Sequence, residues 1–176
     1  MKEQQHLACS IGFAFLAFTA CDRATSPSSP DAGKGSAPHL TVAEGFVNAD
    51  RAIARVGQIH WNSSLNGFDA ELNTSGATNI DVTDGVADPN GGTTGWHAHP
   101  GPVFVLVKSG AITAYDGDDP TCTGKTYTEG MSFIEGTRPH ILRNEGPLHA
   151  EIVVVFFIPA GQPRRIDADA PGNCPF

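Results

Sequence analysis

Apolar residues in the second half of this chain come in short runs broken by glycine, proline and acidic turns, a rhythm that predicts strands rather than helices. Asn79-Ile80-Asp81-Val82-Thr83 alternates as a half-buried strand would, and Asp88-Pro89-Asn90-Gly91-Gly92 after it is a strong turn signal. Val103 to Lys108 reads as a buried strand, and Ser109-Gly110 is expected to close it as a hairpin onto Ala111 to Tyr115. Thr126 to Thr128, Met131 to Ile134 and Pro139 to Arg143 follow as short strands. Within Glu151 to Pro159 the run Ile152 to Ile158 is continuously apolar and β-branched, which suits a strand covered on both faces. Upstream, Leu40 to Trp61 mixes apolar patches with charge. It predicts a short helix near Ala49 to Val56 and a strand ending at His60-Trp61, while Asn62 to Gly76 is polar and turn-rich. Short, evenly spaced strands without repeats argue for a single all-β sandwich or closed barrel over 40–176.

The N-terminus has a different character. Ile11 to Ala20 is apolar but too short to span a bilayer, and fits the hydrophobic region of a signal peptide over 1–20. The run ends Ala17-Phe18-Thr19-Ala20-Cys21, which resembles a bacterial lipobox and implies lipidation of Cys21; cleavage nearby without lipid is the alternative. Residues 21–39, rich in Ser, Pro, Gly and Ala, cannot bury enough apolar surface to offset their ordering entropy and read as a flexible linker. Both routes export the protein, to the periplasm or the cell exterior, with membrane contact only through the lipid anchor.

Candidate chemistry concentrates in Gly92-Thr93-Thr94-Gly95-Trp96-His97-Ala98-His99-Pro100-Gly101-Pro102 and His140-Ile141-Leu142-Arg143-Asn144. Two residues apart on extended backbone, His97 and His99 leave the same face. A third imidazole from another strand, His140, would complete half a coordination sphere for a divalent metal.

In combination these segments resemble the cupin family. Gly92, His97, His99 and Gly110 match the family's first motif, with the spacing before His97 one residue short. Gly130, His140 and Asn144 match the second, with Gly136 in place of its proline. The first motif's glutamate is missing, its position falling on Val103 or Phe104. The resemblance covers roughly residues 90 to 159 and implies a cupin jelly-roll barrel (a double-stranded β-helix) with a three-histidine metal site. Tyr115 to Cys122, Arg143-Asn144-Glu145-Gly146 and the ending Pro171 to Phe176 are similar to exported bacterial cupin-domain proteins of undefined function.

Of four cysteines, Cys9 would leave with the signal peptide and Cys21 would carry lipid, so Cys122 and Cys174 remain as a disulfide pair in an oxidising compartment. Such a closure contributes about 4 kcal/mol on the loop-entropy view; two metal-binding or reactive thiols are the alternative. A net charge of −8 with no basic stripe excludes nucleic acid as a partner.

Three imidazoles leave a bound ion its full charge and open positions. Without the glutamate, iron, zinc, nickel or copper is favoured and manganese disfavoured. Three-histidine cupin sites are similar to those of dioxygenases acting on small molecules, so the expectation is a metal-dependent oxidoreductase with a small-molecule ligand. The alternative is a non-catalytic module binding a metal or small ligand. Tyr115 and Tyr127 are candidate acid–base or orienting groups. Trp96 and Phe104 either wall a pocket or, more commonly for such residues, fill the core. Asn144 is expected to stabilise a turn, and His39, His60 and His149 carry no spacing signal. Pairing into a homodimer through sheet edges is a further expectation, because exposed strands need covering.

Overall fold

Period-two alternation of inward and outward side chains runs through the strands of the computed structural model, which describes residues 42–176. The expected signal peptide and linker, with Cys9, Cys21 and His39, lie outside the described residues. Among the described residues there are thirteen strands and no helix: β1 (Phe46–Val56), β2 (His60–Leu65), β3 (Phe68–Asn73), β4 (Thr78–Ala87), β5 (Gly92–Thr93), β6 (His97–Ala98), β7 (Val103–Ser109), β8 (Ala111–Asp116), β9 (Lys125–Thr128), β10 (Ser132–Glu135), β11 (His140–Asn144), β12 (Ala150–Pro159) and β13 (Ile166–Asp167). Antiparallel ladders group them into a five-stranded sheet, β1-β4-β12-β7-β10, and a six-stranded sheet, β13-β6-β11-β8-β9, with β5 also on β11; β2 and β3 form a separate hairpin.

One core joins the two larger sheets. Val103, Val105 and Val107 of β7 and Ile152, Val154, Phe156 and Ile158 of β12 cluster with Ile112 of β8 and Leu142 of β11. β12 is central in its sheet, and its burial alternates between buried and half-buried, so its outer face is covered only in part.

Three local expectations are corrected. Ala49 to Val56 belongs to β1, not a helix, because β1 pairs with β4 from Phe46↔Ala87 to Val56↔Thr78, and that long ladder overrides local propensity. The strand expected to end at His60-Trp61 begins there instead, and with Phe68–Asn73 makes the β2–β3 hairpin across the stretch read as turn-rich, turning at Asn66 (φ 52°) and Gly67 (φ 80°), an Asn-Gly pair suited to positive φ at both positions. The β7–β8 hairpin does not exist: β7 pairs with β10 and β12, and β8 with β9 and β11. Gly110 turns the chain from one sheet into the other at φ 72°, and a Cβ there would stand 2.6 Å from the carbonyl oxygen of His149.

Cys122 and Cys174 are disulfide-bonded, with Cα atoms 5.2 Å apart, and pin the C-terminal tail to the loop after β8. The Asn173 amide nitrogen donates to the carbonyls of Asp116 and Asp119 in the same place, and Phe176 packs edge-on to Tyr115 under the Arg143 guanidinium. Disulfides of this kind form where the chain meets an oxidising environment.

Asn144 ties β11 to its neighbours. Fully buried, it donates to the carbonyls of Ala87 and Leu148 and accepts from the Gly146 amide. Asn144→Ala leaves those backbone groups without partners, and the expected cost is about 3 kcal/mol in urea unfolding. A loss under about 1 kcal/mol would show that water replaces the amide.

Candidate metal centre

β6 holds His97 in place through a single pairing with β11, His97↔His140, which sets the two imidazoles side by side. His99 follows two residues on; its amide donates to the Gly136 carbonyl, tying it to the β10–β11 loop. The three ring centroids lie 4.5 to 5.1 Å apart. All three rings are buried, at 4 to 5% exposure.

Each ring is oriented from behind by a backbone carbonyl. Nδ1 of His97 meets Gly95 O at 2.8 Å, Nδ1 of His99 meets Arg164 O at 2.5 Å, and Nδ1 of His140 meets Arg138 O at 2.8 Å. A carbonyl only accepts, so each Nδ1 carries the hydrogen and, in the neutral ring, Nε2 offers its lone pair.

Glu135 completes the group, and the sequence reading missed it. Its side chain is 7% exposed, and its oxygens lie 3.4 Å from Nε2 of both His99 and His140. Donor atoms of His97, His99, Glu135 and His140 all fall within 4.8 Å of one another, an arrangement that could hold a metal ion. The three expected histidines are all in the group, and a carboxylate that the sequence reading did not include joins them. Glu135 on β10 stands directly opposite Val103 on β7, one of the two positions where the motif glutamate is missing. Glu135 thus offers a carboxylate one strand over from that position, on the inward face. With it goes the ground for disfavouring manganese, since a hard oxygen donor is present.

The donor atoms fit a cation better than they fit each other. His99 Nε2, His140 Nε2 and Glu135 Oε1 are buried without a hydrogen bond, which is costly unless something else satisfies them. Burial pushes the His97 imidazole down to about 3, helped by the nearby charges of His140 and Arg165. Burial would push Glu135 up, but the imidazoles of His140 and His99 beside it outweigh this and hold the carboxyl below its ordinary range. His140 is pulled down by burial, yet Glu135 more than offsets this and raises it.

Other candidates separate cleanly. Tyr127 lines a cavity with Glu135 and His140, whereas Tyr115 sits on the opposite face of its strand and donates to Glu145. Trp96 is fully buried. Phe104 lies on the outer face of β7, neither in the core nor in a pocket. His60 and His149 stay exposed.

Residues 86–156, which contain all four donors, match the family model of the cupin domain. This chain carries a cupin domain. No curated protein matches it. Among solved structures it is similar to the polyketide cyclase RemF from Streptomyces resistomycificus, at 18% identity over 52% of this chain and 64% of that one, with a TM-score of 0.43. It is also similar to a cupin domain from Bordetella pertussis, at 18% identity over 61% and 94% of the two chains, TM-score 0.39. An oxalate oxidase aligns at 24% identity over 44% of this chain and 41% of its own, TM-score 0.38. The cupin chain thus spans under two thirds of the cyclase and under half of the oxidase.

Metal-free cupin protein should lose stability as pH falls from 6.5 to 4.5. In that window the unfolded chain protonates His97 at its ordinary value of 6.5 while the folded chain, with His97 near 3, does not. His140, raised when folded, is already protonated below 6.5 in both states, and Glu135 contributes only below its ordinary 4.5. Urea unfolding at the two pH values, in wild type and in His97→Gln, checks this. The variant should show a much flatter pH dependence, and equal slopes would refute the assignment.

Proposed function

We propose that this cupin protein is exported and binds one divalent transition metal through His97, His99, His140 and Glu135, using it as an oxidoreductase of the dioxygenase-like kind on a small molecule. The observation that carries this is the set of buried, carbonyl-oriented imidazoles whose Nε2 atoms converge with a carboxylate that lacks other partners. Iron, zinc, nickel, copper and manganese are all compatible with three nitrogen donors and one oxygen. Once bound, such an ion supplies Lewis-acid activation of a carbonyl or water, or oxygen chemistry where it is iron. The protein's own part is to fix the ligand tautomers and keep the donors dry.

In this reading the two sheets are the halves of a cupin jelly roll spanning 40–176, preceded by a signal peptide over 1–20 and a tether over 21–39, with Cys21 as lipid anchor. The disulfide and the similarity to exported cupins support that placement.

A second reading is favoured by one feature. Four protein donors fill a tetrahedral ion completely, and closed sites are structural or storage sites, whereas catalytic ones keep a position open. For zinc this would make the chain a non-catalytic binding module; a six-coordinate ion would retain open positions.

The outer face of the five-stranded sheet supports a homodimer through a face rather than an edge. Val47, Val86, Phe104, Leu106 and Ile134 are exposed there, with the Arg51–Asp84 and Lys108–Glu151 ion pairs set among them on the same face. Five strands make a surface about 24 Å wide, on which apolar side chains and paired charges are interspersed.

Elemental analysis of residues 22–176, purified without chelator or metal-affinity tag, tests the metal site. We expect about one transition metal per chain, lost in His97→Ala/His140→Ala and bound at least about tenfold more weakly in Glu135→Gln. Metal far below stoichiometry after reconstitution would end the metalloprotein reading. Oxygen uptake by the loaded protein favours the oxidoreductase; tightly held zinc without turnover favours the binding module.

For the dimer, light scattering should give twice the chain mass, falling to one chain in Leu106→Glu/Ile134→Lys. A monomeric wild type at high micromolar concentration would remove it.

A further inference from the structure

The inner face of the six-stranded sheet carries polar side chains beside His140 that a hydrophobic core would not place there. Asp116 pairs with His140, Ala114 with both Leu142 and Lys125, and Tyr127 with Ile112. By strand alternation Asp116, Lys125 and Tyr127 therefore share the face of His140 and of the buried Ile112 and Leu142. Phe133 and Glu135 of β10 stand across the gap between the two sheets' edge strands. With the Gly136–Arg138 turn they enclose a cavity of about 340 Å³ that touches two of the four donor residues, Glu135 and His140.

This is the space beside the metal centre that an organic molecule could fill. The gap in the interior that also touches Glu135, behind His97 and under Phe46, is only about 30 Å³, room for a water. A cavity of about 320 Å³ near Arg165 reaches one donor residue, His97, and its arginine is held by Asp167 at 2.5 Å.

Charge decides what the larger cavity would take. In a chain of net charge −8, it draws together two cations, Lys125 and Arg138, beside the carboxylates of Asp116 and Glu135. Lys125 lies 3.8 Å from Asp116, too long for a hydrogen bond, and Arg138 is hydrogen-bonded to Asp118 at 2.6 Å, all four side chains well exposed. Exposed pairs of this kind contribute little and exchange readily. A divalent ion offset by the single Glu135 carboxylate leaves the floor positive as well. A planar guanidinium and an ammonium above a positive floor select a carboxylate.

We propose that this cavity is the ligand compartment of the metal centre and takes a small carboxylate anion, held at its charged end by Arg138 and Lys125 and walled by the stacked rings of Tyr127 and Phe133. The proposal rests on the metal reading above, and its test separates the two. Protein loaded with Co²⁺ is titrated calorimetrically with acetate, benzoate and malonate and with the amide of each, while the cobalt absorption spectrum is followed. At least one carboxylate should bind tenfold or more tightly than its amide and perturb the spectrum. Lys125→Gln and Arg138→Gln should each weaken it about tenfold, with cobalt affinity and circular dichroism unchanged. Retained cobalt with no preference for carboxylate over amide, or with binding indifferent to both substitutions, overturns the carboxylate site and leaves the metal centre standing. Wild type that fails to hold cobalt overturns both.

Discussion

Donor atoms of three histidines and one glutamate face one another inside this protein, and much of the described structure can be understood as keeping them there. An imidazole lone pair or a carboxylate oxygen buried without a partner costs free energy, and three of these atoms have no hydrogen bond. The surrounding chain holds them in place all the same. Each ring is clamped through Nδ1 by a carbonyl from a different segment: the turn before β6, the β10–β11 loop and the tail before β13. With the reverse sides fixed, the rings cannot turn away from one another, so the convergence of nitrogen and carboxylate donors persists whether or not a cation occupies it.

The clamp from the tail explains features that otherwise look unrelated. Arg164 gives its carbonyl to His99, while its side chain is tied to Asp50 on β1 at 2.5 Å and lies 3.7 Å from Asp81 on β4. It also lies over Phe156, whose ring meets His99 edge-on at 5.5 Å. Three residues on, β13 pairs with β6, Asp167 opposite His97, and beyond that the disulfide fixes the tail's end. The C-terminal segment therefore reaches two of the three histidines. A short strand such as β6 has few ladder bonds of its own; its rigidity is borrowed from β11 on one side and from the tail on the other.

What the sequence disclosed follows from which contacts are local. His97 and His99 share a face by strand alternation alone, and His140 was legible because its spacing to Asn144 repeats a known motif. Cys122 and Cys174 were found by elimination. Glu135 was not, because its claim to the site lies in a cross-strand neighbour, Val103, far away in sequence. Its local signal, alternation with Phe133 and a glycine after it, marks only an inward residue near a turn. The same limit explains β1, whose helix-like composition yields to a ladder with β4. It explains Gly110 too, a glycine that looks like a hairpin turn and is a corner between sheets.

A carboxylate on β10 is held differently from one on β7. β7 lies within its sheet, between β12 and β10, whereas β10 is the sheet's last strand. A ligand on an interior strand is held by neighbours on both sides. On the terminal strand, Glu135 has ladder partners on one side and an open seam on the other, and the seam is where the larger cavity lies. Were a metal held by these four residues, Glu135 would be the donor on the strand with a single ladder neighbour, while the three histidines are each fastened by their own backbone carbonyl. A ligand arriving through the seam would then meet the carboxylate and His140 first, both of which line the cavity there.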